Sequence, residues 1–402
     1  EDNYSHPLAA PAAMLASLWT GCLGVALLGA IAAGSDVIGP RLGDGSPVDW
    51  WFAFKLNAEA FPECSTTRKC IFGGEVQDYS KGFGLQYLLS SGVDGKTQEM
   101  DLHTDCLGSG ADPVAKTFAQ IYDGSAPNYV IWNDQFYGDP ELPACSQKSC
   151  GHPWGHSKGA VAWDAQGNGF VMQVSTPDWP GNGDKSKPRQ TQGNTLGCID
   201  DDDVLVSQHF LALKLSRNDT KAVLEGLRTA SVVTDPSKDQ LVKLSGGPSE
   251  LEAAAKSLGQ IADATSPYSA SLGLATSNSK SVRILAKPSK LQVPPWQLVS
   301  AVTGEALRTA TWWQSPAIPS TREGEPGCWA EGLGTPKEVQ VATSGQWQGK
   351  AFSLTGGSSA DHNHAKLGHS LTGSLVVTGD MNQQGSYDPS SRKCSAAQNG
   401  RG

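Results

Sequence analysis

The chain has 402 residues, 38% of them hydrophobic and 18% charged, enough to bury a large core as one big domain or as two closely packed halves. A formal charge of −9 excludes the uniformly basic surface of a chromatin or repressor protein, while leaving room for a local basic cleft. The acidic run Asp200–Asp203 reads as a solvated loop, with calcium binding as the lesser alternative.

The opening residues stand apart from the rest. The stretch "LAAPAAMLASLWTGCLGVALLGAIAAG" is almost free of charge and ends in small residues, as a secretory leader does ahead of its cleavage site. It is also long enough to span a bilayer. Residues 1–34 are therefore expected to be a signal peptide cut near Ala32–Gly34, with a signal anchor as the second reading. Glu1 and Asp2 stand where a leader carries positive charge. No other segment is apolar enough to cross a membrane.

Nine cysteines fit an exported chain. Cys22 lies in the leader, and Cys64, Cys70, Cys106, Cys145, Cys150, Cys198, Cys328 and Cys394 form an even set for up to four disulfides, with the pairing open. Asn218-Asp219-Thr220 is a glycan acceptor motif, and Asn3-Tyr4-Ser5 is another.

Strands and helices alternate through the remainder. "VDWWFAFKLN", "FGLQYLLSS" and "NYVIWNDQ" read as strands, "GAVAWDAQGNGFVMQVS" as a hairpin, and "SQHFLALKLS" as a further strand. "DTKAVLEGLRTA" and "PSELEAAAKSLGQIADA" read as helices, the first with Asp219 near its start. "KSVRILAKPS" and "SLTGSLVVTGD" look extended, with a helix in "PPWQLVSAVTGEAL" between them. The mixture gives an α/β or α+β class.

Two tripeptides carry the chemistry: His156-Ser157-Lys158 in "CGHPWGHSKGAVAWD" and His364-Ala365-Lys366 in "SADHNHAKLGHS". On a strand, residues i and i+2 share a face, so each unit presents an imidazole beside an ammonium. Two such units make a pocket with two imidazoles and two fixed cations. Phosphoryl transfer needs that set: a nucleophile, a proton donor for the leaving oxygen, and positive charge on the non-bridging oxygens. Either unit alone is most often a solvated strand end. Two metal readings compete. Cys145, Cys150, His152 and His156 have a spacing that imitates a zinc site, although in an exported chain those cysteines are better read as disulfide-bonded, to each other or to other cysteines. His362, His364 and His369 could also cluster, but without a supporting carboxylate spacing.

The paired units resemble the phospholipase D superfamily, and the chain is more closely similar to the deoxyribonuclease II family of acid nucleases. The segments "VDWWFAFKLN", "GLQY", "YVIWNDQ", "GHSKGAVAWD", "VSTPDWP", "GNTLGC", "AKPSK", "DHNHAK" and "TGDMNQQGSYD" follow that family's order from about Val48 to Cys394. The resemblance implies a phospholipase D-like fold of two pseudo-symmetric halves, each a sheet flanked by helices, with one site between them. Residues 46–215 would hold the first unit and residues 216–394 the second. It implies His156 and His364 as the catalytic pair, Lys158 and Lys366 as phosphate ligands, Asn382 at the phosphate and Ser175 lining the pocket. It further implies DNA as substrate, 3′-phosphate products through a phosphohistidine, no metal or other cofactor, a secreted or lysosomal address, and no stable membrane association once the leader is removed. Rival readings are a phosphodiesterase of the same fold acting on phospholipid or RNA, and a secreted DNA-binding or toxin protein with little turnover. The sequence departs from the family at Val174, where a His is usual, at Asp178 for Asn, and at Gln383 for Arg. "DHNHAK" carries two extra residues, and only His364, not His362, keeps a lysine two positions on.

Overall fold

The computed structural model describes residues 37–57, 87–103, 107–184 apart from 109, 137–139, 143–144, 146–148 and 178, then 206–273, 281–312, 320–382 apart from 326–327 and 360, and the short pairs 387–388 and 393–394. The leader, Cys22, Cys64, Cys70, Cys106, Cys198, Asp178, Gln383 and the Asp200–Asp203 run lie outside these residues.

The aromatic run after residue 48 forms β1 (Trp50–Lys55), which is flanked by β2 (Tyr87–Val93) and by β7 (Gln208–Leu215). With β3 (Lys96–His103), β4 (Asn128–Asn133), β5 (Lys158–Trp163), β6 (Gly169–Val174) and β8 (Val242–Lys243) they make an eight-stranded sheet in the order β3-β2-β1-β7-β6-β5-β4-β8. Every ladder in it is antiparallel. All six residues of β4 and all six of β5 are buried, so both faces of the sheet are covered there.

Four helices are present among the described residues. The helix α1 (Pro113–Tyr122) was not apparent from periodicity, although its start is encoded. Asp112 accepts the Ala115 N–H at 3.0 Å and Pro113 supplies a preset first turn. It lies over β1, where Trp51 Nε1 donates to Thr117 Oγ1 at 3.0 Å. In α2 (Arg217–Ala230) the cap is Ser216, and Asp219 sits at the third position and closes a capping box. The next helix, α3 (Ser249–Lys256), is shorter than the expected run to Ala264. Gly259 follows at φ +73, and a side chain there would meet Thr234 O at 2.7 Å. Val223, Leu224 and Leu227 of α2 and Leu251 and Ala255 of α3 share the core of the eight-stranded sheet. Residues on both sides of the expected boundary at 216 thus build one core.

The strands β9 (Tyr268–Leu272) and β10 (Val282–Ala286) form a small ribbon beside α2, and α4 (Pro295–Thr303) ends at Gly304 in the left-handed region. A second sheet has the order β12-β11-β15-β16, from β11 (Leu307–Ala310), β12 (Val339–Val341), β15 (Lys366–Ser370) and β16 (Val376–Gly379). Only β11 and β12 run parallel in it. "SLTGSLVVTGD" is therefore a strand end, a turn through Gly373 and a new strand rather than one extended run. The hairpin β13 (Ser344–Trp347) and β14 (Lys350–Ser353) packs Phe352 on Phe54 of β1, with Ala365 in the same apolar cluster. A last pair, β17 (Tyr387–Asp388) and β18 (Lys393–Cys394), completes the described elements. The mixed class holds, in the form of antiparallel sheets with helices. No helix among the described residues is long and apolar enough to cross a membrane.

Candidate active site

Both His-x-Lys units straddle the entry to a strand. Lys158 is the first residue of β5 and Lys366 the first of β15, with each histidine two residues back in the preceding loop. Register then brings a carboxylate to each lysine. Asn133, the last residue of β4, pairs with Lys158, so Asp134 emerges beside it. Gly379, the last residue of β16, pairs with Lys366, so Asp380 emerges beside that lysine. The same device is used twice, once in each sheet.

The two constructions meet. Lys158 Nζ lies 2.9 Å from Asp134 Oδ1 and 3.0 Å from Asp380 Oδ2, while Lys366 Nζ lies 3.1 Å from Asp380 Oδ1. His156 Nδ1 is 3.4 Å from Asp380 Oδ2, and Asn382 Nδ2 donates to His156 Nε2 at 3.1 Å. That contact leaves the imidazole proton on Nδ1, facing the carboxylate. His156, Lys158, His364, Lys366, Asp134, Asp380 and Asn382 are all buried. Ser157 points the other way, where its Oγ accepts from Trp132 Nε1 at 3.0 Å. Trp312 stands edge-on to His364, with ring centroids 5.7 Å apart.

Burial and charge set the protonation states. Burial pushes the Asp380 carboxyl up, but Lys158, Lys366 and His156 outweigh it and hold it far below the usual carboxylate range. For Lys158, burial pulls down and Asp134 and Asp380 together pull harder the other way, so its ammonium is secured. Lys366 is lowered by burial and by Lys158, against the opposing pull of Asp380. His364 is held well below the ordinary histidine value by burial first, then by Lys366 and Lys158.

Other expected residues have separate surroundings. Ser175 Oγ donates to Gln208 Oε1 at 2.5 Å and accepts the His209 N–H at 2.9 Å, so its hydroxyl is engaged within the sheet. Val174 is buried and pairs with Lys158 across β5–β6. A disulfide joins Cys145 and Cys150, which removes both thiolates from the zinc reading. His362 accepts the Ser359 N–H in a turn, His369 is exposed on β15, and they do not gather around His364. Among the described residues, the one group with metal-ligand spacing is Asp134, His156 and Asp380, whose ligand atoms lie within 4.8 Å of one another. Lys158 Nζ already bridges its two carboxylates.

The two carboxylates were not identified as site residues from the sequence, although both lie in the segments "NYVIWNDQ" and "TGDMNQQGSYD". Their signal is positional, an Asp immediately after a strand that pairs with the lysine strand. His209, inside the run "SQHFLALKLS", has no motif around it that marks it. Trp312 carried no sequence signal beyond being aromatic.

A search of curated proteins gave no significant match. The family model described as deoxyribonuclease II matches residues 40–391, which include both His-x-Lys units, both carboxylates and Asn382. The chain belongs to the deoxyribonuclease II family and is a deoxyribonuclease, a phosphodiesterase acting on DNA.

Proposed function

We propose that the protein is a metal-independent acid endonuclease that cleaves DNA to 3′-phosphate ends, with His156 and His364 as the catalytic pair. The observation that carries this reading is the ammonium of Lys158 set between Asp134 and Asp380, at 2.9 and 3.0 Å. A divalent ion held by those carboxylates would have to displace a buried lysine. The cation that phosphoryl transfer requires is thus part of the chain.

Charge arithmetic supplies the acid dependence. Lys158 and Lys366 are cancelled by Asp134 and Asp380, so with both histidines neutral the site has no net charge to offer a phosphodiester. One added proton on the histidine pair gives +1, matching the single negative charge of the scissile phosphate. Lys158 and Lys366 orient the non-bridging oxygens, and Asn382 adds a donor to them. Asn382 can serve both states of His156: its Nδ2 faces the neutral ring, and its Oδ1 would face Nε2–H after a rotation of the amide. Ser175, expected to line the pocket, has its hydroxyl engaged by Gln208 and the His209 N–H and has no direct part in this scheme.

In this mechanism the Asn382 amide turns from His156 Nε2 to the phosphate, the freed Nε2 lone pair attacks phosphorus, the P–O5′ bond breaks, and His364 gives its proton to the leaving 5′ oxygen. Water then attacks the phosphohistidine, with His364 taking the proton, and the 3′-phosphate leaves. The Nδ1–H facing Asp380 supports His156 as nucleophile, since the carboxylate stabilises the ring as it becomes cationic. One observation favours the reverse polarity as a second reading: burial and two lysines hold His364 well below the ordinary histidine value, in the neutral form a nucleophile needs.

The repeated strand–Asp construction supports the expected phospholipase D-like plan, with each sheet supplying one unit. The family and the Cys145–Cys150 disulfide support an exported protein, secreted or lysosomal. Asn218 is exposed at the start of α2, where a glycan would be accommodated.

The test is plasmid nicking at pH 5 in EDTA, with mass spectrometry of the quenched enzyme. Metal-free nicking and a phosphate on His156 are expected; phosphate on His364 would reverse the polarity. Activity abolished by EDTA and restored by zinc would overturn the reading. Gel shift without cleavage would leave a DNA-binding protein.

A further inference from the structure

We infer that His209 is a positioning residue, a fixed hydrogen-bond acceptor that with the Ser207 carbonyl holds the second His-x-Lys unit against β7. The inference rests on the proposed role of that unit. The backbone N–H groups of three consecutive residues are involved. His364 N and Ala365 N donate to Ser207 O at 2.9 and 3.2 Å, and Lys366 N donates to His209 Nδ1 at 3.3 Å. The docking continues on both sides, with Ser207 N donating to His362 O at 3.0 Å and Lys55 Nζ donating to Val206 O at 2.6 Å. The clasp adds to the hold that Asp380 and the packing of Ala365 with Phe54 and Leu88 already give this segment on the first sheet.

The neighbours of His209 define its tautomer. Gln173 Nε2 donates to Val174 O at 3.0 Å, which turns the Gln173 Oε1 towards the ring, 2.9 Å from His209 Nε2. An oxygen there requires Nε2 to carry the proton, so Nδ1 keeps the lone pair that receives the Lys366 N–H. Phe52 of β1 stacks on the ring at 6.5 Å.

A histidine acceptor in an acid enzyme faces one hazard, protonation of Nδ1. The groups acting on this ring are Asp380, which favours the charged form, and Lys366, which disfavours it; β1 offers Phe52 and β6 offers Gln173, both uncharged. Burial exceeds both charges and pushes the ring down to about 3. An ordinary histidine would open the clasp over the range where the histidine pair becomes productive. His209 keeps it closed.

The experiment uses the full chain labelled with 15N-histidine, the His209 signal being assigned by its loss in His209→Asn. The expected spectrum is that of a neutral Nε2–H ring, unchanged from pH 7 to roughly pH 4.5. Titration within that range, or an Nδ1–H ring, would overturn the inference. In parallel, His209→Phe keeps a ring of similar breadth and removes the acceptor, whereas His209→Asn keeps an oxygen close to the Nδ1 position. The Phe variant should lose about 100-fold in kcat at nearly unchanged KM, with faster hydrogen exchange at the Lys366 amide. Asn should recover much of that loss. Wild-type kcat and exchange in the Phe variant would overturn the inference; if that variant does not fold, the wild-type spectrum still decides. The nuclease reading fails separately, through an absence of metal-free cleavage by the wild type whatever the ring's tautomer.

Discussion

Asp380 is the residue on which the other charges converge, within 3.4 Å of His156, Lys158 and Lys366. Replacing it with Asn leaves two buried ammoniums facing Asp134 alone. Breaking a buried pair in this way costs about 3–5 kcal/mol, so Asp380→Asn should melt well below the wild type. The sign of the pH dependence follows from its depressed acidity. A carboxylate whose folded pKa is lowered contributes stability that is fully present above its unfolded value, about 3.9, and is lost only as pH falls through the folded value. From pH 7 to about pH 4.5 the Asp380 contribution should therefore stay constant, and the wild-type melting temperature should fall there only because the buried His209 and His364 stay neutral below their unfolded value of about 6.5. A gap between wild type and Asp380→Asn that closes between pH 7 and pH 4.5 would show that Asp380 is not so held. His156→Ala and His364→Ala should each lower kcat by several orders of magnitude, since the pair acts as a unit. Substantial nicking by His156→Ala would sink the two-histidine scheme.

At the level of the element, the site is a consequence of register. A shift of β4 against β5 by one residue would turn Lys158 away from Asp134, and Gly159 guards that alignment. A Cβ there would meet Met172 O at 2.3 Å and the Trp132 ring at 2.4 Å. Gly159→Ala should cost about 1–3 kcal/mol in urea unfolding, and an unchanged midpoint would refute the crowding. Register also explains what could be read from the sequence. Strands such as "NYVIWNDQ" and "SQHFLALKLS" were legible as β-branched and aromatic runs, and the two His-x-Lys units as paired residue types at strand spacing. β3 was not, because "KTQEMDLH" is a polar edge strand whose form comes from pairing with β2. Asp134 and Asp380 lie 246 positions apart in the sequence and become a pair only after two ladders are assembled, which local sequence does not express. His209 needed the same long-range contact to acquire a role.

For the whole molecule, chemistry and electrostatics point to the same working range. In the proposed mechanism cleavage requires one proton shared between two histidines, and these titrate as a pair whichever ring is the nucleophile. The ordinary value is about 6.5, and His364 lies well below its own, so the acid limb moves down and kcat/KM should be bell-shaped with an optimum at roughly pH 4.5–6. Above it, loss of that proton leaves the site without the charge that attracts phosphate, and KM should rise. Rates that keep climbing above pH 8 would contradict both arguments. Chelators should leave the whole profile unchanged. The quartet of Lys158, Asp134, Asp380 and Lys366 also constrains how such a protein can change over time. Its charges balance only as a set, so a lineage that loses one inherits an uncompensated ion in its interior, and the next tolerated step is loss of an opposite charge. The fitness effect of each substitution thus depends on which came first. Lys158→Met combined with Asp134→Leu should unfold at a higher temperature than Lys158→Met alone, a departure from additivity that a double-mutant cycle would measure directly.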